Sequence, residues 1–543
     1  MTTQKKSSSF LKQAAILAVA SILVRIMGFL YRIPMTNMIG DQGNAIYSAG
    51  YYIYTFLLIL SSAGLPAAIS KMVSERLALK QYRNAHMVFR VSLLVSGLLG
   101  FLCMVLMIVF AKQIAAISNS PESYYCILTL SPTLFIVAIM SVYRGYFQGM
   151  NTMVPTAISQ IVEQAFNAFF SVYLAYVFLG IGVSAAGKKN IILGAAGGTA
   201  GTGIGALAGL LVILFSYSLI RPTIKKQIRK DKNFDVQESR REIAKVLLGT
   251  ALPIIAGTAV FSITNLIDMN MVTRILETTG YTHEQAQELY GQLSGKYVTL
   301  TTLPVSISTA VATAAIPSIA ASVKLRQKAV IRHKMNMTLR ISMIISVPAA
   351  VGIGVLGDPI VKMLFPLSNK GGILLTVGSV SIIFLALCQT ATGILQGIGQ
   401  VKIPMIGAIL GAIVKVILNA VLISKPSIHV IGAVLSTTGC YAMASIYNMI
   451  MLSKITRVPI DLLGSLGKPL VGSAAMGLGC FGIYQGLYLL YPSNTLATLV
   501  SILAGVGLYG VVMLFIKGIR EEDLNMLPMG GKMASICKKL HLL

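Results

Sequence analysis

The sequence predicts an all-α polytopic membrane protein with fourteen transmembrane helices. Two six-helix halves related in parallel are followed by two C-terminal helices, and both termini lie in the cytoplasm. The first observation behind this fold class is composition. Of the 543 residues, 55% are hydrophobic and only 11% are charged, and the mean hydropathy is +0.78. A typical globular domain has about 25% charged residues, so this composition indicates a membrane protein. The other two observations are the placement of the charged residues and the internal repeats.

Apolar runs of membrane-spanning length recur along the chain. A helix needs about 20 apolar residues to cross a hydrocarbon core of about 30 Å, and we count fourteen such runs. They lie at 12–33, 46–66, 88–110, 124–147, 155–180, 192–219, 246–271, 297–318, 340–358, 373–397, 403–423, 428–453, 469–491 and 494–517. The first run follows Lys5, Lys6 and Lys12 and lacks a small-x-small cleavage site. We therefore expect it to remain as the first helix rather than be removed as a signal peptide.

The basic residues mark one side of the membrane. The chain has 44 Lys and Arg residues and a net charge of +27. If the fourteen spans alternate sides from a cytoplasmic N-terminus, most of these cations fall on cytoplasmic segments, with dense clusters at 221–245 and 324–340. This is the positive-inside bias that orients membrane proteins, and such segments are also attracted to anionic lipid. The charge is therefore a topology signal, and we expect no nucleic-acid partner.

Motifs of the first half recur in the second half, in the same order and at a nearly constant offset. The pairs are "GYFQGMNTMVP" (145–155) with "GILQGIGQVKIP" (393–404), "GLPAAIS" (64–70) with "AIPSIAA" (315–321), and "FRVSLLVS" (89–96) with "LRISMIIS" (339–346). Parallel repeats of this kind occur in transporters that hold their substrate between the halves. The predicted domains are a first half at 1–220, a basic cytoplasmic linker at 221–244, a second half at 245–455, helices 13 and 14 at 456–517, and a cytoplasmic amphipathic tail at 518–543.

A glycine-rich stretch and the cysteines have structural interpretations. The segment "GAAGGTAGTGIGALAG" (194–209) contains a loose GxGxxA pattern, but it has no GK[ST] and no preceding strand. Its residues Gly197, Gly201, Gly205 and Gly209 recur every fourth residue, which is typical of closely packed membrane helices. The six cysteines show no CxxC spacing. We therefore predict helix packing rather than nucleotide binding, and reduced cysteines without a metal or disulfide.

Apart from residues within one turn of a cytoplasmic end, we place three cations inside the spans, namely Arg25, Arg32 and Lys415. An arginine at the centre of a membrane helix costs about 2.5 to 3.5 kcal/mol on insertion scales. Arg25 and Arg32 are nearly two helical turns apart, so they project from one face about 10 Å apart along the axis. Planar guanidinium groups match phosphate oxygens, so we assign these cations to an anionic head group such as a pyrophosphate. Arg32 is also near the predicted outer end, where a side chain can snorkel to the interface, and both interpretations stay open.

Polar residues accompany the other charges in the spans. Asn265 is one turn from Asp268, and Asn419 is one turn from Lys415. Glu163 and Lys415 lie on spans that the repeat makes equivalent, so either they contact each other across the halves or each lines the cavity separately. Asp268 and Glu163 are the candidates for binding a coupling cation, Na⁺ or H⁺. The membrane potential is the alternative energy source, and no cofactor is expected.

Four segments together resemble the MurJ and SpoVB branch of the multidrug/oligosaccharidyl-lipid/polysaccharide exporter superfamily. They are "VRIMGFLYRIP", "GLPAAISKMVSE", "RGYFQGMNTMVPTAISQIVEQ" and "QGIGQVKIPMIGAILGAIVKVILN". The resemblance covers nearly the whole chain. It implies a flippase of the bacterial cytoplasmic membrane that moves lipid II, the undecaprenyl-pyrophosphate-linked peptidoglycan precursor, from the inner to the outer leaflet by alternating access. It also implies a cationic central cavity for the head group and a lipid-tail groove at helices 13 and 14.

The resemblance carries over to some positions and not to others. Arg25 matches the first-helix arginine of the R-[VI]-x-G-F pattern, and Asp268 matches an aspartate of the seventh helix. Thr299 stands where many members have an arginine, with Lys296 nearby, and the second first-helix arginine is displaced by one residue to Arg32. We therefore add Lys296 to the head-group set and Thr299 to the polar residues of the cavity.

Other functions were weighed against the lipid II flippase. A sporulation or capsule-type flippase for another undecaprenyl-linked glycan fits the same residues, since both substrates offer a pyrophosphate. A cation-coupled drug exporter would favour an acidic, aromatic cavity, which the three cations in the spans argue against. An enzyme would need paired carboxylates or an activated nucleophile, and acids are too sparse for that. The expected partners are lipid II or a related undecaprenyl-pyrophosphate glycan and membrane lipids, and the expected state is monomeric.

Overall fold

The computed structural model describes residues 16–17, 19–181, 190–231, 238–325 and 327–519. All regular structure in these ranges is helical. The helices are α1 (Val19–Leu30), α2 (Arg32–Ser62), α3 (Leu65–Ala78), α4 (Tyr82–Val109), α5 (Ala111–Ile117), α6 (Tyr124–Gly149), α7 (Val154–Gly180), α8 (Ile191–Arg229), α9 (Arg240–Thr278), α10 (His283–Gly291), α11 (Val298–Lys324), α12 (Lys328–Leu364), α13 (Gly372–Gly378), α14 (Ser381–Gly397), α15 (Lys402–Ile423), α16 (Ile431–Thr456), α17 (Leu462–Leu490) and α18 (Asn494–Phe515). The predicted tail lies outside the described residues from position 520 onward.

Each predicted span coincides with helix in the described residues, and the all-helical membrane fold is confirmed. Nine helices of the described part are by themselves long and apolar enough to cross a membrane, and ten are if α13 and α14, bent by 54°, form one span. The total of fourteen spans and the cytoplasmic termini stay predictions. Most of the helical stability in such a chain comes from packing and from backbone hydrogen bonds that hydrocarbon cannot replace.

Helical structure continues beyond residue 33, the predicted end of the first span. It runs from Arg32 to Gly40, where a φ of +68° breaks the helix before the second span. The residues after Pro34 in this stretch are partly polar. Those residues satisfy their side chains internally: Asn37 Nδ2 donates to the Ile33 carbonyl at 3.1 Å, and Thr36 Oγ1 donates to Asn44 Oδ1 at 3.3 Å.

The chain forms two compact units, Met1–Asn270 and Met271–Leu543. The repeat predicts that the second half begins at residue 245, and this boundary stays a prediction. The first turns of α9 pack within the first unit. There Ile243, Leu247 and Ala251 are buried in one apolar cluster with Leu65 and Val88. The predicted linker at 221–244 is also partly helical, because α8 runs to Arg229.

The two copies of the GxxQG motif occupy equivalent positions within their units. The GxxQG motif closes α6 at Gly149 and closes α14 at Gly397. The next helix then begins within a few residues, with a proline in its first turn. In the second unit, α17 and α18 pack on α12, where Tyr509 Oη donates to the Ile344 carbonyl at 2.9 Å. This contact anchors the two helices that lie outside the repeat.

Candidate functional site

Arg25 lines a cavity of about 270 Å³ within the first unit. The cavity lies between α1, α6 and α7, and its lining consists of Ser21, Val24, Arg25, Arg144, Gln160, Glu163 and Gln164. The side chain of Arg25 is exposed to this space. The site therefore presents two guanidinium groups and two amide groups at the level of membrane-spanning helices. We call it the Arg25 cavity.

The second arginine of the cavity is held by an ion pair. Arg144 Nη2 lies 2.7 Å from Glu163 Oε2 and donates to Ser159 Oγ at 2.8 Å, and Ser159 Oγ in turn donates to the Gly209 carbonyl at 2.9 Å. The two charged side chains are 13% and 28% exposed. An arginine at this depth is compensated by the carboxylate, while the cavity leaves part of the pair accessible to a ligand.

Sequence reasoning missed Arg144. It lies within the predicted span 124–147, but it is less than one turn from the cytoplasmic end and was counted with the cytoplasmic cations. A signal was present in the repeat: Arg144 directly precedes the first GxxQG motif, whereas Thr392 occupies the matching position before the second. Comparison of the two copies identifies Arg144, because only the first copy has a cation at this position.

The glycine ridge of α8 positions Glu163, and its predicted packing role agrees with the structure. A Cβ on Gly205 would lie 2.5 Å from the Glu163 carbonyl oxygen, and one on Gly209 would lie 2.9 Å from Glu163 Cβ. A Cβ on Gly201 would lie 2.2 Å from the Ser171 nitrogen, and one on Gly197 would lie 2.4 Å from the Leu174 carbonyl oxygen. Such close approach of backbones requires small residues. The ridge thus fixes α7, and with it the acid that holds Arg144.

Arg32, the first residue of α2, packs against aromatic rings of the same helix. Its guanidinium carbon lies 5.9 Å from the Tyr47 ring centroid and 5.5 Å from that of Tyr51. The two rings stack on each other with centroids 5.6 Å apart. Arginine over an aromatic face gains about 0.5 to 2 kcal/mol, more when it is desolvated. These rings engage the side chain, and helical structure continues past it to Gly40.

Asp268, the other candidate acid, is buried. Asp268 lies on α9 within the described part of the first unit, and Asn265, one turn away, is partly buried. Glu163 pairs with Arg144 of its own unit. In the second unit, Lys415 is 1% exposed on α15, and Asn419 one turn later is fully buried.

Lys296 is buried for a different reason. Its Nζ donates to the Ser368 carbonyl at 2.5 Å, to Ser368 Oγ at 3.0 Å and to the Lys370 carbonyl at 2.8 Å, and it lies 5.7 Å from the Phe365 ring centroid. A lysine ammonium has three donors, so the chain itself supplies acceptors for all of them. Thr299, one turn further, is buried at the start of α11. We therefore leave Lys296 out of the proposed head-group set.

The cysteines and acids of the described residues form no group suited to a metal ion: no cluster of three or more His, Cys, Asp or Glu occurs there. The five cysteines in the described ranges are free thiols, and four of them are buried.

Comparisons with known proteins match this fold along nearly the whole chain. The sequence profile described as "Polysaccharide biosynthesis protein" matches residues 10–323, and the MatE profile matches residues 295–421. Stage V sporulation protein B of Bacillus subtilis (strain 168) is 25% identical over 97% of this chain and 99% of its own. Lipid II flippase MurJ of the same organism is 27% identical over 94% of this chain and 95% of its own. The solved inward closed conformation of lipid II flippase MurJ has a TM-score of 0.66 at 16% identity, covering 93% of this chain and 99% of that one.

Proposed function

Because this chain belongs to the family of polysaccharide biosynthesis proteins, we propose that it moves lipid II from the inner to the outer leaflet by alternating access. The coarser assignment is firm: the chain is a multi-pass flippase or transporter of the bacterial cytoplasmic membrane, and its relatives are transporters rather than enzymes. The proposal concerns the substrate, the residues that bind it and the source of energy.

The observation that supports a pyrophosphate-linked substrate is the Arg25 cavity. A pyrophosphate offers oxyanions at two phosphorus atoms, and guanidinium groups bind such oxygens in pairs. Arg25 is exposed to the cavity and supplies one such group, while Gln160 and Gln164 supply neutral donors. Arg144 supplies the second guanidinium, which Glu163 holds in place by the 2.7 Å ion pair. The carboxylate and the pyrophosphate would compete for Arg144, so the anion can be released again after translocation.

We assign the binding of a coupling ion to the second candidate acid, Asp268. Since Glu163 is engaged with Arg144, we propose Asp268, with Asn265 one turn away, as the position that takes a coupling Na⁺ or H⁺. A carboxylate on a membrane helix is the usual carrier for such an ion. The membrane potential is the alternative, and an Asp268→Asn variant that transports at the wild-type rate would favour it.

One observation also supports a second candidate substrate. The chain is as similar to stage V sporulation protein B as to lipid II flippase MurJ, at 25% and 27% identity over nearly full length. Another undecaprenyl-linked glycan would offer the same pyrophosphate to the same arginines. A drug exporter is not favoured, since the cavity contains two arginines.

The test is complementation of a strain depleted of its lipid II flippase, with lipid II in the outer leaflet as the readout. We expect the wild-type chain to restore growth and outer-leaflet lipid II, Arg25→Ala to lose at least tenfold in flipping, and Arg25→Lys to retain part of it. The matched control is Arg241→Ala, an exposed arginine of the same unit that does not line the cavity. Membrane abundance is measured for every variant.

Two outcomes would overturn the proposal. Full rescue by Arg25→Ala at matched abundance would remove Arg25 from the binding site. Failure of the wild-type chain at normal abundance, combined with rescue of a strain defective in another undecaprenyl-linked glycan, would replace lipid II with that glycan.

A further inference from the structure

A second charged pocket lies where α4 begins and α8 ends. It has a volume of about 870 Å³ and belongs to the first unit. The short turns before α4 and after α6 lie at this end, which the charge distribution predicts to be cytoplasmic. Four exposed cations line its mouth: Arg90, Arg221, Lys225 and Arg229. We call it the basic pocket.

The arrangement of these cations is unfavourable without an anion. Arg221, Lys225 and Arg229 are spaced by four residues, so they form one row on α8, and Arg90 of α4 lines the same pocket. Like charges at this spacing on a helix repel each other. No carboxylate lines the pocket within the described residues; Asp231 accepts from the backbone N–H of Arg83 at 2.9 Å beside it. A positive-inside bias requires only that cations lie on one side of the membrane, not that they converge on one cavity.

The floor of the basic pocket is aromatic. The Phe89 ring stacks on Tyr217 with centroids 5.3 Å apart, and Tyr143 packs edge-on against both rings, at 5.1 Å from Phe89 and 5.2 Å from Tyr217. These rings come from α4, α6 and α8 and hold the three helices at fixed spacing. The pocket therefore combines a cationic mouth with a rigid apolar floor, which suits an amphiphile better than a small hydrated ion.

An apolar pocket adjoins the basic pocket at α8. Its volume is about 650 Å³, and both pockets share Ile224 and Ile228 as a common wall. Its lining includes Phe147, Met150 and Leu219 and no charged side chain of the described residues. An adjacent pair of basic and apolar pockets matches a phosphate diester joined to hydrocarbon. A free phosphate would make no favourable contact with the apolar pocket.

We propose that these two pockets bind one anionic phospholipid of the inner leaflet. Its phosphate lies among Arg90, Arg221 and Lys225, and its hydrocarbon lies against the apolar pocket past Ile224. Basic pockets between membrane helices on the cytoplasmic side recognise anionic head groups. The bound lipid neutralises the row on α8 and joins α4 to α8. This site is separate from the Arg25 cavity and does not depend on the identity of the flipped substrate.

The test measures lipid retention by the full-length purified protein. Protein in a mild detergent is titrated with phosphatidylglycerol or phosphatidylcholine, and bound lipid is counted by native mass spectrometry while the midpoint of thermal unfolding is recorded. We expect wild type to bind phosphatidylglycerol at least tenfold more tightly than phosphatidylcholine. The double variant Arg90→Gln/Arg221→Gln is expected to lose that preference. The matched control Arg240→Gln/Arg241→Gln removes the same charge at exposed positions at the same end of the unit and should bind within twofold of wild type.

Two further arms separate a lipid from a free anion. Leu219→Gln changes the exposed wall of the apolar pocket without touching a cation, and we expect it to weaken phosphatidylglycerol binding severalfold. Inorganic phosphate at millimolar concentration should not displace the lipid. Displacement by phosphate together with an unaffected Leu219→Gln would replace the lipid with a soluble anion. Equal losses in the pocket and control variants would show nonspecific charge attraction. Should the double variant fail to fold, Lys225→Gln alone decides between the same outcomes.

Discussion

Two buried cations, one in each unit, are held in different ways. In the first unit, Arg144 is paired with Glu163 beside a cavity, and Arg25 lines the same cavity. In the second, Lys296 is 0% exposed, and all three of its donors are taken by the chain at Ser368 and Lys370. Burial of a cation therefore does not identify a ligand site. What distinguishes the Arg144 site is that it lines a cavity together with a second guanidinium, that of Arg25.

The repeat makes this contrast sharper. The helix ends coincide at the two GxxQG motifs, yet Arg144 in one copy corresponds to Thr392 in the other. Thr392 Oγ1 accepts from Asn448 Nδ2 at 3.2 Å, so a neutral hydrogen bond stands near the place where the first unit has an ion pair. The two copies end their helices at the same motif, but only the first copy has a charged residue directly before it.

The largest expected effect concerns Lys296. Lys296→Met should lower the free energy of unfolding by about 3 kcal/mol, because it leaves buried carbonyl oxygens of Ser368 and Lys370 without donors. The measurement is denaturation in detergent. Lys370→Met, an exposed side chain in the same loop, should change stability by less than about 0.5 kcal/mol. Normal stability of Lys296→Met combined with lost flipping would return Lys296 to the head-group set and break the contrast.

The ion pair and its neutral counterpart form the next comparison. Arg144→Gln and Glu163→Gln should each cost about 1 to 2 kcal/mol of stability, since each leaves a partly buried charge, and the double variant should cost less than their sum. The same cycle on Thr392→Val and Asn448→Leu should give a smaller coupling of about 0.5 to 1 kcal/mol. Flipping should be lost in Arg144→Gln and not recovered in the double variant. Additive effects in the first cycle would show that the pair contributes nothing.

The smallest effect is expected at Arg32. Tyr51→Phe keeps the aromatic face and removes only the hydroxyl, which hydrogen-bonds to Arg32, so it should cost less stability than Tyr51→Leu. Tyr51→Leu removes the face and should cost about 1 kcal/mol, the usual size of a cation–π contact. Thermal unfolding of the two variants and flipping at matched abundance provide the check. Equal behaviour of the two variants would mean that Arg32 is held by something other than the rings.

Local patterns were enough to predict the positions of the helices, the matching motif ends and the glycine ridge from Gly197 to Gly209. Hydropathy and residue spacing act over one or two turns of helix, and membrane burial enforces them. The same patterns placed Arg25 in the membrane. They did not predict that helical structure continues to Gly40, because Thr36 and Asn37 lower the hydropathy although their side chains are hydrogen-bonded within the fold.

Only the tertiary structure decided which charges meet a partner. Arg144 meets Glu163 because the glycines of α8 bring α7 close, and Lys296 meets carbonyl oxygens of a loop far along the chain. The basic pocket likewise exists because α4 and α8 converge at one end. By itself the sequence determined which segments are helical and which charges lie in or beside the membrane. The partners of those charges depend on contacts between distant segments, which periodicity and composition do not encode.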